Sequence, residues 1–158
     1  MDFSAADPDD FNIPAVRGTL SALRAAARTP SVQRVVITSS CAAVVDQDAV
    51  GGPSARVYDE SYWNEADVET VAREGRAASW AKKYAASKVA AERAAWAFYE
   101  EAKSKVAASG CGWDLTVLVP PAVFGPVLHE VRGGPETLNV SNAMLYNAIM
   151  NGKLGGPM

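Results

Sequence analysis

Two short apolar runs, Arg34-Val35-Val36-Ile37-Thr38 and Trp113-Asp114-Leu115-Thr116-Val117-Leu118-Val119, flank one long helix-forming stretch. The first is β-branched and lacks the polar alternation of a half-exposed strand, so it suits a central strand covered on both faces. The second reads as another buried strand and stops at Pro120-Pro121, whose missing N–H groups end a ladder. Between them, Ser79 can cap a helix running from Trp80 to about Ala107, closed by Gly110-Cys111-Gly112. That helix is rich in alanine, which allows close approach to a sheet, with Val89, Trp96, Tyr99 and Val106 as larger anchors. Two strands joined by a long helical crossover make a right-handed parallel unit, and the chain is therefore expected to be α/β.

The flanking segments fit this plan. Asp2 to Asp10 reads as an acidic loop leading into a helix from about Asp9 to Ala27, bent or interrupted at Pro14. Thr29-Pro30-Ser31 ends it. Asp46 to Trp63 is polar and irregular, broken by Gly51-Gly52-Pro53, and Asp59-Glu60-Ser61-Tyr62-Trp63-Asn64 reads as a surface loop with aromatic anchors. Asp67 to Arg76 suits a short helix. Leu138 to Asn151 suits another, with Val140, Met144, Leu145 and Ala148 on its apolar side and Gly152 as its stop.

With 158 residues, 49% of them hydrophobic, the chain can bury a core as one domain over residues 1–158. Its 15 basic and 18 acidic residues are interspersed, which argues against nucleic acid or an anionic membrane as the main partner. No apolar run reaches membrane-spanning length, and the first residues lack a signal-peptide pattern. Cys41 and Cys111 show no metal-type spacing and read as reduced thiols, so a cytoplasmic location is expected. His129 is the single histidine, which leaves little material for a Ser-His pair or a His-rich metal site; no metal is expected.

Chemistry concentrates in two places. Tyr84 and Lys88, four apart on the long helix, project from one face about a turn apart. An ammonium near a phenol favours the phenolate, which suits a group that exchanges a proton with a carbonyl or alcohol oxygen. The spacing by itself also describes many ordinary surface pairs. The second place is Thr38-Ser39-Ser40, at the carboxyl end of the first strand, where open parallel sheets keep their ligands. Serines there equally often satisfy loop backbone groups.

Val35-Val36-Ile37-Thr38-Ser39-Ser40, Asp59-Glu60-Ser61-Tyr62-Trp63-Asn64, Tyr84-Ala85-Ala86-Ser87-Lys88 with Ala91-Glu92 and Ala95-Trp96, and Pro120-Pro121-Ala122-Val123-Phe124-Gly125-Pro126 occur in that order. Together they resemble the extended short-chain dehydrogenase/reductases, nearest the dihydroflavonol reductase, cinnamoyl-CoA reductase and fungal methylglyoxal/aldehyde reductase branch, over about Phe11 to Asn151. The resemblance implies a partial Rossmann-type, doubly wound parallel sheet, the central and C-terminal half of a dinucleotide-binding fold. It implies reduction of an aldehyde or ketone with NADPH rather than NADH. Tyr84 would be the general acid, Lys88 its electrostatic partner and a ligand of the nicotinamide ribose, and Ser40 the hydroxyl holding the substrate oxygen, with Ser39 as the alternative. Thr38, Ser39, Pro120, Pro121, Ala122 and Val123 would line the cofactor. Phe124 and Tyr146 would be packing residues.

The departures are equally specific. No G-x-G-x-x-G or G-x-x-G-x-x-G run occurs to hold a pyrophosphate. Arg17 stands where the family carries asparagine, and Val119 where many members carry a polar residue before the proline. The chain is thus expected to be truncated at both ends, with little activity alone and a sheet edge left open to self-association. The alternative is an inactive short form that binds a partner.

Overall fold

The computed structural model describes residues 7–49, 56–105, 112–128 and 132–151. These fall into two compact units, Met1–Pro120 and Pro121–Met158.

The first unit begins with α1, Pro8–Ala27. Asp7 caps it by accepting from the Asp9 N–H, while Asp10 accepts from the Asp7 N–H, and Pro8 occupies the first turn. The Asp7 carboxyl is held below its ordinary value by the Asp9 backbone hydrogen bond and then by the Arg76 guanidinium. Pro14 lies inside the helix without interrupting it. The proline removes one N–H bond, and the capping box and the packing of the second half on a neighbouring helix outweigh that local loss.

Strand β1, Arg34–Thr38, pairs in parallel with β2, Asp114–Leu118, in the register Val35 to Leu115 and Ile37 to Val117. Between them run α2, Glu65–Glu74, and α3, Trp80–Lys105. Ser79 caps α3 as expected, accepting from the Lys82 N–H at 3.3 Å. Helix α2 starts earlier than its composition suggests, because Asn64 caps it by accepting from the Asp67 N–H, and Gly75 at φ +56° ends it. Gly51 to Pro53, His129 and Gly152 lie outside the described residues, as do Gly110 and Cys111.

Helices α1 and α3 pack on each other and share one face of the sheet. Leu23, Ala95, Trp113 and Leu115 form the buried centre, with Val35, Ile37 and Val117 packed on it. A second cluster, Val71, Ala78 and Ala86, joins α2 to α3. The sequence expectation that β1 is covered on both faces fails here. Val36 and Leu118 are 54% and 52% exposed, because both long helices form a single layer on the opposite face. The alternation that results is that of a one-sided sheet.

In the second unit, α4 spans Val140–Asn151, and the Asn139 side chain accepts from the Asn142 N–H at its start. The expected apolar side is only half right. Met144 and Ala148 are half-buried, whereas Val140 and Leu145 are exposed. The helix carries apolar residues all round, so periodicity does not single out one face. Phe124 and Tyr146, expected as packing residues, are exposed within this unit.

Candidate active site

Helix α3 carries Tyr84, Lys88 and Glu92 at four-residue steps along one face. Lys88 Nζ lies 5.6 Å from the centroid of the Tyr84 ring. Ala85, Ala86, Ser87 and Val89 are buried, while Tyr84 and Lys88 are half-buried. Packing of these small neighbours therefore fixes the helix and leaves the phenol and ammonium reachable. Among the described residues, neither the Tyr84 hydroxyl nor the Lys88 ammonium has a hydrogen-bond or ion-pair partner. Ser87 turns back and donates to the Tyr84 carbonyl at 2.7 Å.

The parallel pairing continues past β1. The Ser39 N–H donates to the Leu118 carbonyl at 2.7 Å and the Cys41 N–H to that of Pro120 at 3.0 Å. Thr38 is exposed at the strand end. A 3-10 turn follows, Cys41–Ala43, packed against α3. The two serines have opposite commitments. Ser39 Oγ–H donates to Glu92 Oε2 at 2.6 Å in a buried pair. Ser40 Oγ instead accepts from the Ala42 N–H at 3.2 Å, which leaves its O–H uncommitted among the described residues. A substrate oxygen needs a donor, and Ser40 retains one.

This difference has a measurable consequence. Ser39→Ala strands a buried carboxylate and should cost about 1–3 kcal/mol of stability, whereas Ser40→Ala loses a local cap and should cost roughly 1 kcal/mol or less. Urea melts of the two variants check the order; equal losses would sink the distinction.

Asn64 is 1% exposed. Its amide nitrogen lies within hydrogen-bond distance of three acceptors that share its two N–H donors, the carbonyls of Ala42 and Val45, each at 3.0 Å, and Asp67 Oδ2 at 2.8 Å, and its backbone N–H donates to the Ala43 carbonyl. Lys82 Nζ reaches Asp67 at 2.8 Å and Asp48 at 2.6 Å. The hydrogen bonds from Asp48 and then Asp67 push the Lys82 ammonium above its ordinary pKa. Its contribution is therefore complete below the ordinary lysine range and lost only as pH climbs through the raised value. Lys83, in contrast fully buried, donates to the Arg76 carbonyl at 2.8 Å.

Sequence reasoning brought Tyr84, Lys88, Ser39 and Ser40 to attention but missed Glu92 as the Ser39 partner and Asn64 as a buried latch. Asp59 to Asn64 was expected to be surface loop; its last residue is core. A signal existed, since Asn64 stands three residues before Asp67 as an N-cap does. Pro120 is tied through its carbonyl to Cys41, while Pro121, Ala122 and Val123 are exposed and belong to the second unit. Arg17 is exposed on α1. A separate cleft of about 490 Å³, lined by Asp46, Arg56, Tyr58, Tyr62 and Trp63 among others, contains neither Tyr84 nor Ser40. Cys41 is a free, half-buried thiol. Among the described residues, no cluster of side chains could hold a metal ion and no helix is long and apolar enough to cross a membrane.

A family model described as Male sterility protein, an NAD-binding family, matches residues 5–156. The chain belongs to the extended short-chain dehydrogenase/reductases. It is 40% identical over 159 residues to an anthocyanidin reductase of Vitis vinifera, covering 99% of this chain and 42% of that one. It is 34% identical over 152 residues to aldehyde reductase 2 of Sporidiobolus salmonicolor, covering 92% and 39%. The crystal structure of yeast methylglyoxal/isovaleraldehyde reductase Gre2 complexed with NADPH superposes with a TM-score of 0.70 at 32% identity, covering 91% of this chain and 40% of that one. The chain thus spans about two fifths of the length of these extended reductases. The α/β architecture with a parallel sheet is shared with the Gre2 structure and amounts to a portion of the Rossmann fold.

Proposed function

We propose that this chain carries the proton-transfer half of an NADPH-dependent carbonyl reductase site acting on an aldehyde or ketone. The observation that carries the reading is the pairing of Tyr84 and Lys88 on α3, both uncommitted, on the helix that also packs against the turn bearing the free Ser40 hydroxyl. In this reading Ser40 donates a hydrogen bond to the substrate oxygen and Tyr84 gives that oxygen its proton. The Lys88 charge favours the phenolate left behind and offers a donor to a ribose hydroxyl. In this reading both donors serve the oxygen on which negative charge develops. The bound nicotinamide supplies the hydride.

The residues fit that cofactor at one end only. The uncommitted Lys88 ammonium beside Tyr84 suits the nicotinamide ribose, but no glycine-rich phosphate turn occurs in the sequence. Most anchoring of a dinucleotide comes from its phosphates, so we propose slow turnover limited by weak cofactor binding. NADPH is preferred over NADH in this proposal because the Gre2 neighbour is the NADPH complex. The test is oxidation of NADPH or NADH by the folded chain with small aldehydes, α-dicarbonyls and aromatic ketones, with Ser40→Ala in parallel. Alcohol product that falls sharply in Ser40→Ala supports the reading. No product at any NADPH concentration would set it aside in favour of a partner-binding role.

A second reading has its own support. The exposed Val36 and Leu118 leave an apolar sheet face, and we propose that copies of the chain associate through this sheet. Sedimentation should show a concentration-dependent dimer that Val36→Lys weakens; a monomer at all concentrations overturns it.

A further inference from the structure

We infer that Asn64 is a positioning residue for Ser40, a latch that holds the 40–45 turn in the shape that presents the serine hydroxyl; the inference rests on the proposed role of Ser40. The turn bearing Ser40 is short; beyond the Ser40 Oγ bond to the Ala42 N–H it consists of Cys41, two alanines and two valines, whose side chains make no hydrogen bond among the described residues. Apart from the bond of the Cys41 N–H to the Pro120 carbonyl at its start, its backbone bonds are local, from Ala43 to the Ser40 carbonyl and from Val44 and Val45 to that of Cys41. Three of its carbonyls, those of Ala42, Ala43 and Val45, point away from this turn and are met by one residue, Asn64. A single side-chain amide thus meets two acceptors of the turn, one buried and one part-buried, whose loss of a partner would be costly. An amide suits this place because one short side chain offers two N–H donors, shared among the two carbonyls and Asp67 Oδ2, and an acceptor.

The latch is itself braced. Asn64 Oδ1 accepts from the Asp67 N–H at 3.2 Å, and its Nδ2 donates to the Asp67 carboxylate, which Lys82 grips from α3. Lys82 is two residues before Tyr84. The helix that bears the phenol and the turn that bears the serine are therefore tied to one network, from half-buried Lys82 to buried Asp67 and Asn64, as well as through Ser39 and Glu92. Networks of this kind fix geometry more than they add stability.

The test separates the latch from the cap. Asn64→Asp keeps an oxygen to cap α2 and the backbone N–H to Ala43, but it has no amide for Ala42 and Val45. Two probes read the turn in the purified full chain carrying Cys111→Ser: the alkylation rate of Cys41 by iodoacetamide, and hydrogen exchange at the Ala42 to Val45 amides. The Ala42 amide reports on Ser40 directly, because Ser40 Oγ is its acceptor. In Asn64→Asp both rates should rise by about tenfold or more, with α2 and β1 amides unchanged. Asn64→Ala, which adds no charge beside Asp67, should open the same turn. Parental rates at Cys41 and Ala42 to Val45 in either variant would overturn the inference. So would acceleration spread equally over α1, β1 and α3 in both, since Asn64 would then serve folding at large. Neither probe needs cofactor or turnover, so failure of the reductase reading and failure of the latch are told apart.

Discussion

Replacing Tyr84 by phenylalanine should lower carbonyl turnover by about 10²–10⁴-fold, the range associated with a positioned general acid, while leaving NADPH binding nearly unchanged. The substitution removes one oxygen and keeps the ring that sits beneath the Lys88 ammonium. The hydroxyl has no hydrogen-bond partner among the described residues, so its loss leaves no buried group stranded and should not shift the melting temperature. The measurement is NADPH-dependent product formation at saturating cofactor, with cofactor fluorescence for binding and circular dichroism for folding. A variant that keeps most of the parental rate would remove Tyr84 from the proton-transfer role. Equal loss of rate and of NADPH binding would mean that the phenol serves cofactor placement instead.

Leu23→Ala should destabilise the first unit by about 2–5 kcal/mol, a large fraction of the roughly 5–15 kcal/mol that holds a small domain together. Leu23 is 1% exposed and lies in one cluster with Ala95, Trp113 and Leu115, where α1 meets α3 over the sheet. The neighbours that could collapse into the gap are constrained. Ala95 has only a methyl group, which cannot reach into the gap, and Trp113 is pinned against Tyr99, with ring centroids 5.4 Å apart. Within the first unit, the helices α1 and α3 pack on the face that carries Val35 and Ile37, while Val36 and Leu118 on the other face are exposed and supply no compensating burial. Urea unfolding followed by tryptophan fluorescence measures the loss. A change under about 1 kcal/mol would show that the α1–α3 layer is not the centre of stability.

The elements of the first unit were legible from local pattern. The run Arg34 to Thr38, the cap at Ser79 and the proline stop after β2 each carry their cause within a few residues. Pro14 shows where local reasoning overreaches. A proline inside a helix costs one bond, but neighbouring packing can outweigh it, and α1 continues through. The apolar side of α4 was misjudged for a related reason, because a helix apolar all round contains no periodic signal to read.

The residues alone make two things readable, the order of strands and crossover helix and the placing of Tyr84 and Lys88 on one face of α3. Both follow from fixed backbone periods, which need only neighbouring residues. The tertiary structure alone decided which serine keeps its donor, because the partner that occupies Ser39 is Glu92, 53 residues away. It alone decided that Asn64 is buried and that Val36 stands in the open. Hydrogen-bond commitment and burial depend on what folds back from a distance, and no local period encodes that.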